Sequence, residues 1–247
     1  MSTVFLVIRA LFGYLVIAFM GVICFVPCIV VACLPEKYRF NNKVYYFFSW
    51  LFYRVIVWGT FLPFAVEGKH HIPEQPAILI ANHQSALDIP FLGMLVNCHP
   101  HIWLFLSRYA KIPIFGFVTR RMNVVVDYSG LRKLTGAITD AARLIKGQKR
   151  HVLMFPEGGR AIDGTVHRFY YGFVILAKET KRPVVPVMMF NLNKAYPPGS
   201  FFIHPYPIKI VIGEPFRMSD DETDEAFLQR VHSWFVQQVE QNKSSSV

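Results

Sequence analysis

The chain has 247 residues and a formal net charge of +10; 53% of its residues are hydrophobic and only 17% are charged. That length accommodates one sizeable core and excludes two large domains, and a charged fraction well under the ~25% usual in soluble domains points to contact with lipid. The basic excess suits nucleic acid, anionic lipid or phosphorylated substrates, but there is no RNP run and no zinc-finger spacing, so no nucleic-acid partner is expected.

The first element is an uncharged apolar run, Ala10 to Leu34. As a helix it would be about 37 Å long, enough to cross a hydrocarbon core of about 30 Å. A signal peptide is the alternative, but its apolar region would be about 7–15 residues and no small-x-small cleavage site precedes the charged stretch. Cys24, Cys28 and Cys33 fall in or beside this run and Cys98 lies apart. Their spacing is not CxxC, so neither a zinc site nor a disulfide framework is expected, and a chain facing the cytosol with reduced thiols is the default. A polar turn, Glu36 to Lys43, leads to a second apolar and aromatic run, Val44 to Phe64, broken only by Arg54. Its Tyr45, Tyr46, Trp50, Tyr53 and Trp58 are amphipathic aromatics suited to a membrane interface. Residues 1–63 therefore read as an anchoring helical hairpin that either spans the bilayer or enters one leaflet. Both ends of a hairpin emerge on one side, so the rest of the chain sits on the side of Met1.

Residues 64–247 alternate short apolar runs with helical stretches. The runs Ala77–Ala81, Ile102–Leu106, Val124–Val126, Val152–Phe155, Val184–Phe190 and Ile208–Ile212 read as buried strands. Helices are expected at Asp88–Val96, Gly130–Ile145 and Phe173–Thr180, and in a C-terminal segment capped by Ser219 and Asp220-Asp221-Glu222 and carrying Phe227, Val231, Trp234 and Phe235. Ser244–Ser246 reads as a disordered tail. The alternation predicts an α/β layer fold.

Two strand ends carry the chemistry. The strand at Ala77–Ala81 runs directly into Asn82-His83-Gln84-Ser85-Ala86-Leu87-Asp88, which places a histidine at the carboxyl edge of a sheet, where α/β proteins keep their sites. A turn can fold Asp88 back onto His83. The carboxylate would then fix the tautomer while the other ring nitrogen removes a proton from a hydroxyl, a triad logic with the substrate alcohol in place of serine. By itself the His-x4-Asp spacing reads more readily as a structural histidine beside a helix cap. The second strand end is Phe155-Pro156-Glu157-Gly158-Gly159-Arg160. Its glycines permit positive φ and close approach, and its arginine suits an anion. His70-His71 and His99-Pro100-His101 lack an accompanying acid or cysteine cluster, so no metal is expected.

With these segments in order, about 70 residues apart, the chain resembles the glycerolipid acyltransferase family of 1-acylglycerol-3-phosphate acyltransferases. Asn82 to Asp88 fits its NHxxxxD motif and Phe155 to Gly158 its FPEG motif. Val185-Pro186-Val187 is similar to its VPV block, and Ile112-Pro113-Ile114-Phe115-Gly116 to the IPxxG approach to its second block. The resemblance covers residues 64–215. It implies a mixed sheet flanked by helices, with His83 as general base, Asp88 as its orienting partner, Glu157, Gly158 and Gly159 shaping the acceptor site, and Arg160 as an anion contact. It implies acyl-CoA or acyl-carrier protein as donor, a lysolipid acceptor, no cofactor, and a membrane location, on the cytoplasmic face or on an internal membrane in a eukaryote.

Three departures bear on the acceptor. Val125-Val126-Asp127-Tyr128 stands where the family often has Phe-Ile-Asp-Arg, Gly159 where EGTR has threonine, and Phe169-Tyr170-Tyr171-Gly172 where Phe-Lys-Lys-Gly is frequent. Arg120, Arg121, Arg132, Lys133 and Arg168 are candidate replacements for the missing charge. Lysophosphatidate is thus the first acceptor expected, with a lysophospholipid of larger head group or a lyso-aminolipid as competitor. A non-catalytic lipid-binding protein is the alternative from another class. A serine hydrolase would need a G-x-S-x-G elbow, which the sequence lacks.

Overall fold

The structure, a computed structural model, describes residues 3–107, 109–126 and 131–244, apart from the side chains of 3–5, 106, 131–134 and 144. Asp127, Tyr128, Gly130 and the tail after Ser244 lie outside the described residues, as do Met1 and the side chains of Arg132 and Lys133.

Helix α1 (Thr3–Cys33) and helix α3 (Lys43–Gly59) lie side by side and antiparallel, joined through a short helix α2 (Glu36–Arg39). Gly13 lets the two backbones meet, since a Cβ there would lie 2.6 Å from the Gly59 carbonyl oxygen. The first helix starts earlier than the uncharged run because Arg9 is accommodated within the pair, donating to the Thr60 carbonyl at the end of α3. The second helix stops five residues before Phe64, where Phe61 takes a left-handed φ of 52° and Pro63 follows. Asn42 caps α3 through bonds from the amides of Val44 and Tyr45.

A seven-stranded mixed sheet follows, ordered β1 (Phe64–Glu67), β7 (Ile208–Ile212), β6 (Val184–Phe190), β2 (Ile78–Ala81), β5 (His151–Met154), β3 (His101–Leu106) and β4 (Val124–Val126). Only β6 and β7 pair antiparallel. Edge strand β1 is a correction to the sequence reading: its four residues are mostly exposed, so no buried apolar run marks it. The inner strands alternate faces with the period of two. Ile78, Ile80, Val152 and Met154 pack under helices α6 (Leu131–Ile145), α7 (Gly172–Thr180) and α9 (Asp224–Ser244). Leu79, Ala81, Trp103 and Leu153 pack under α4 (Asp88–Leu95) and the end of α3. Helix α5 (Phe115–Met122) sits against α1 and α3 through Val118 and Met122. The sequence reading missed it because Pro113 and Gly116 punctuate it as a turn. A one-turn helix, α8 (Leu192–Ala195), follows β6.

Two further expectations are corrected. Thr223, not Ser219, caps α9, its Oγ1 accepting from the Ala226 amide at 3.2 Å. Arg121, a candidate replacement for the missing charge, is engaged elsewhere, its Nε and one terminal nitrogen donating to the Ala32 and Leu34 carbonyls at 2.5 and 3.1 Å and closing the C-terminal end of α1.

Asn82 clamps the end of β2 to β6. Its Nδ2 donates to the Met189 carbonyl at 2.9 Å and its Oδ1 accepts from the Met189 amide at 2.7 Å, all buried. Asn82→Ala orphans a buried donor and a buried acceptor, a cost of about 3 kcal/mol. Thermal unfolding of the detergent-solubilised protein should fall by about 6–12 °C; an unchanged midpoint would show the clamp to be dispensable.

Candidate active site

Strands β2 and β5 are parallel neighbours with Ile80 opposite Met154, so the two polar turns that follow them meet at one sheet edge. In the first, the chain wraps around the Asp88 carboxylate. Oδ2 accepts from His83 Nδ1 at 2.7 Å, from the Ser85 amide at 2.8 Å and, at very short range, from the Gln84 amide. This wrap explains how residues five apart come together without sharing a helix face. Ser85 Oγ pins the turn from outside, donating to the Tyr196 carbonyl at 2.7 Å. Asp88 is fully buried. Burial pushes its pKa above the ordinary carboxylate value, against the opposing pull of His83 and the two amides. With Nδ1 donating to Asp88, the lone pair of His83 is on Nε2.

The second turn holds His83 by its backbone. Glu157 Oε1 accepts the His83 amide at 3.1 Å, and the Ala161 amide donates to the His83 carbonyl at 2.7 Å. Gly158 has a φ of 67°, which favours glycine there. Gly159 faces open space, so the missing threonine has no steric cause. A cavity of about 610 Å³ opens beside these turns, bordered by His83, Gly158, Gly159 and Arg160 and otherwise by apolar and aromatic residues including Ile89, Trp103, Phe105 and Phe115. A smaller one, about 260 Å³, shares Ala86, Ile89, Trp103, Phe105 and Phe115 with it and reaches between α1 and α3.

Of the residues expected to touch substrate, Gly158, Gly159 and Arg160 border the large cavity. Glu157 does not; it is buried behind the His83 turn. Burial raises its pKa from the ordinary 4.5 to about 7, although the amide of His83 pulls the other way. Neither Arg120, which donates to the Ala110 carbonyl, nor Arg121, nor Arg168 borders the cavity. Tyr171 is engaged with the Glu225 carboxylate. His71 donates to the Ile212 carbonyl and His101 to that of His99. The sequence reading overlooked Trp103 as a cavity wall and the packing of Phe155 on His83, whose ring centroids are 4.1 Å apart; the only signal for Trp103 was an indole in a buried strand.

Comparison with known proteins bears on this site. A sequence model of the family described as Acyltransferase matches residues 63–190, just over half of the chain. A 1-acyl-sn-glycerol-3-phosphate acyltransferase of Limnanthes douglasii is 26% identical over 189 residues, 75% of this chain and 66% of the relative, so the chain spans just under two thirds of that plant protein. The protein of the same description from Pseudomonas aeruginosa is 26% identical over 209 residues, 81% of this chain and 78% of its own. The crystal structure of the 1-acyl-sn-glycerophosphate (LPA) acyltransferase PlsC from Thermotoga maritima superposes with a TM-score of 0.78 at 25% identity, covering 98% of both chains.

The elevated Glu157 pKa has a consequence for stability. Unfolded, the carboxyl loses its proton near 4.5; folded, near 7. In that window folding must retain a proton that the unfolded chain has released, so stability is full at lower pH and declines by about 3 kcal/mol as pH rises through it. His101 and His151, whose pKa values burial holds down to about 4, contribute with the opposite sign over the same range. The decline should therefore appear as a difference between the melting curves of the parent and Glu157→Gln across pH 4 to 8, the variant gaining on the parent as pH rises. An equal slope in both proteins would remove the assignment. Gly159→Thr, entering open space, should leave the melting midpoint within about 2 °C of the parent, since surface substitutions usually cost under ~0.5 kcal/mol.

Proposed function

The chain belongs to the Acyltransferase family, and from that premise we propose that it transfers a fatty acyl group from acyl-CoA or acyl-carrier protein to the free hydroxyl of 1-acylglycerol-3-phosphate, giving phosphatidic acid. The observation that carries this reading is the 2.7 Å bond from His83 Nδ1 to the buried Asp88, on a ring that borders a large, mostly apolar cavity. Nε2 takes the proton of the acceptor hydroxyl as its oxygen attacks the thioester carbonyl. The new C–O bond forms, the C–S bond breaks, and the departing thiolate takes the proton back from Nε2. Asp88 holds the ring's tautomer and stabilises the imidazolium between these steps. Gly158, Gly159 and Arg160 receive the acceptor, with Arg160 on its phosphate, and Glu157 supports the His83 backbone from behind.

Residues 1–63 anchor the chain in a membrane, with the α/β part on the cytoplasmic face. Helix α1 is long and apolar enough to cross a membrane. Its Leu11, Leu15, Phe19, Val22, Val26 and Val30 form an exposed stripe suited to lipid. A lysolipid would then reach the cavity without leaving the bilayer surface.

One observation favours a second acceptor. Among the described lining residues, Arg160 is the only arginine or lysine, and one guanidinium matches a phosphodiester monoanion better than a phosphomonoester dianion. A lysophospholipid with a larger head group is therefore the rival; a lyso-aminolipid would follow from the same scarcity of charge.

Two measurements decide the matter. Purified protein given acyl-CoA or acyl-carrier protein and a panel of lysolipids, with products identified by mass spectrometry, should make phosphatidic acid fastest; faster turnover of a phosphodiester lysolipid would transfer the assignment to the rival. His83→Ala should lower kcat by about 10³-fold or more while folding and membrane binding persist, and full activity in that variant would remove His83 as the base.

A further inference from the structure

The imidazole of His83 lies almost parallel to the ring of Phe155, with centroids 4.1 Å apart and planes 12° from each other. Aromatic faces carry negative charge density, so parallel stacking of two neutral rings gains little electrostatically. A protonated imidazole in the same place is a cation against an aromatic face, well inside the ~6 Å at which such pairs attract. The geometry thus favours the imidazolium over the imidazole.

Phe155 is itself held. Its ring packs on Trp103 at 5.8 Å. The Trp103 indole donates to the Tyr53 hydroxyl at 3.0 Å, which reaches in from α3. That hydroxyl donates to His101 Nε2 at 3.3 Å, and His101 Nδ1 donates to the His99 carbonyl at 2.9 Å. Burial holds the His101 pKa down to about 4, so the ring is neutral and Nε2 remains an acceptor. A column of rings and hydrogen bonds therefore runs from α3 through β3 to the face of His83.

We propose that Phe155 is a positioning residue whose ring face stabilises the His83 imidazolium formed during acyl transfer, and that Trp103, Tyr53 and His101 keep it there. The link to turnover rests on the reading of His83 as general base; the stacking itself does not. Other groups act on the same ring: Asp88 from α4 at its Nδ1 edge, Glu157 behind its amide, and Arg160 and Tyr109 bordering the shared cavity. A test must therefore alter only the ring face.

Full-length protein in detergent micelles, labelled with ¹³C at histidine Cε1, permits the His83 signal to be assigned from a His83→Gln sample and followed against pH. Phe155 is replaced by 4-fluoro-, 3,5-difluoro- and pentafluorophenylalanine, which weaken the negative face while keeping the shape, and by leucine, which removes it. The His83 titration midpoint should move down stepwise, by about 0.4 to 1.5 pH units by the end of the series, and kcat should fall about 2- to 30-fold with KM unchanged. A midpoint that stays fixed or rises overturns the proposal, and so does a fall in kcat without movement of the midpoint, which would leave Phe155 as a space-filling side chain. Should His83→Ala retain full activity, the general-base reading fails while the titration series still decides the stack.

Discussion

A carboxylate with no exposed surface, Asp88, gathers three N–H donors on one oxygen, and the geometry of the site follows from that arrangement. Removing a carboxylate from water is costly, and the cost is tolerable only where hydrogen bonds replace the lost hydration. Two of the three donors are backbone amides, so the chain from His83 to Asp88 has to curl in one particular way. That curl needs β2 to end where Asn82 clamps it to Met189, and it needs Ser85 pinned to the Tyr196 carbonyl. The imidazole is the third donor, and its orientation is a by-product of the bonds gathered on that one oxygen, Oδ2.

The features legible in the sequence were those that local pattern dictates. Inner strands β2, β5 and β6 are buried on both faces, so they read as continuous apolar runs. The His83 to Asp88 spacing and the Phe155 to Gly158 turn were visible as strand ends with unusual polarity. What stayed hidden depended on partners distant in the chain. Edge strand β1 has no apolar run because it is exposed, and it exists by pairing with β7, about 140 residues later. Arg121 read as a candidate replacement for the missing charge, but it is taken up by the end of α1. Glu157 resembled a residue that faces substrate, but the parallel pairing of β2 with β5 turns it toward the His83 amide instead.

The N-terminal helices are bound to the α/β layer at points that matter for the site. Tyr53 of α3 reaches Trp103, a wall of both cavities. Tyr14 of α1 donates to the Phe201 carbonyl, in the segment that begins at the Ser85 partner Tyr196. Tyr45 and Tyr46 are buried with Val118 and Met122 of α5. Helices that only tethered the chain would need none of these contacts. Their presence ties the exposed apolar surface of α1 to the orientation of the cavity mouth, so that this helix and His83 keep a fixed relation.

His83 is thus constrained on almost every side, each by a different chemistry. Its Nδ1 edge is held by the Asp88 carboxylate, its ring face lies on Phe155, and its amide and carbonyl are fixed by Glu157 and Ala161. A ring held in this way has little rotational freedom to lose when a substrate binds, and pre-orientation of this kind is a large part of what a site contributes to rate. Among the described residues Nε2 has no hydrogen-bond partner, and in the proposed reaction it is the atom that exchanges a proton. The arrangement also separates two functions within one residue. The backbone of His83 is held by Glu157 and Ala161, while its ring, which in the proposed mechanism carries the chemistry, is held by Asp88 and Phe155. Substitutions behind the turn and substitutions of the ring's neighbours therefore act through different physical routes, although they meet at the same side chain.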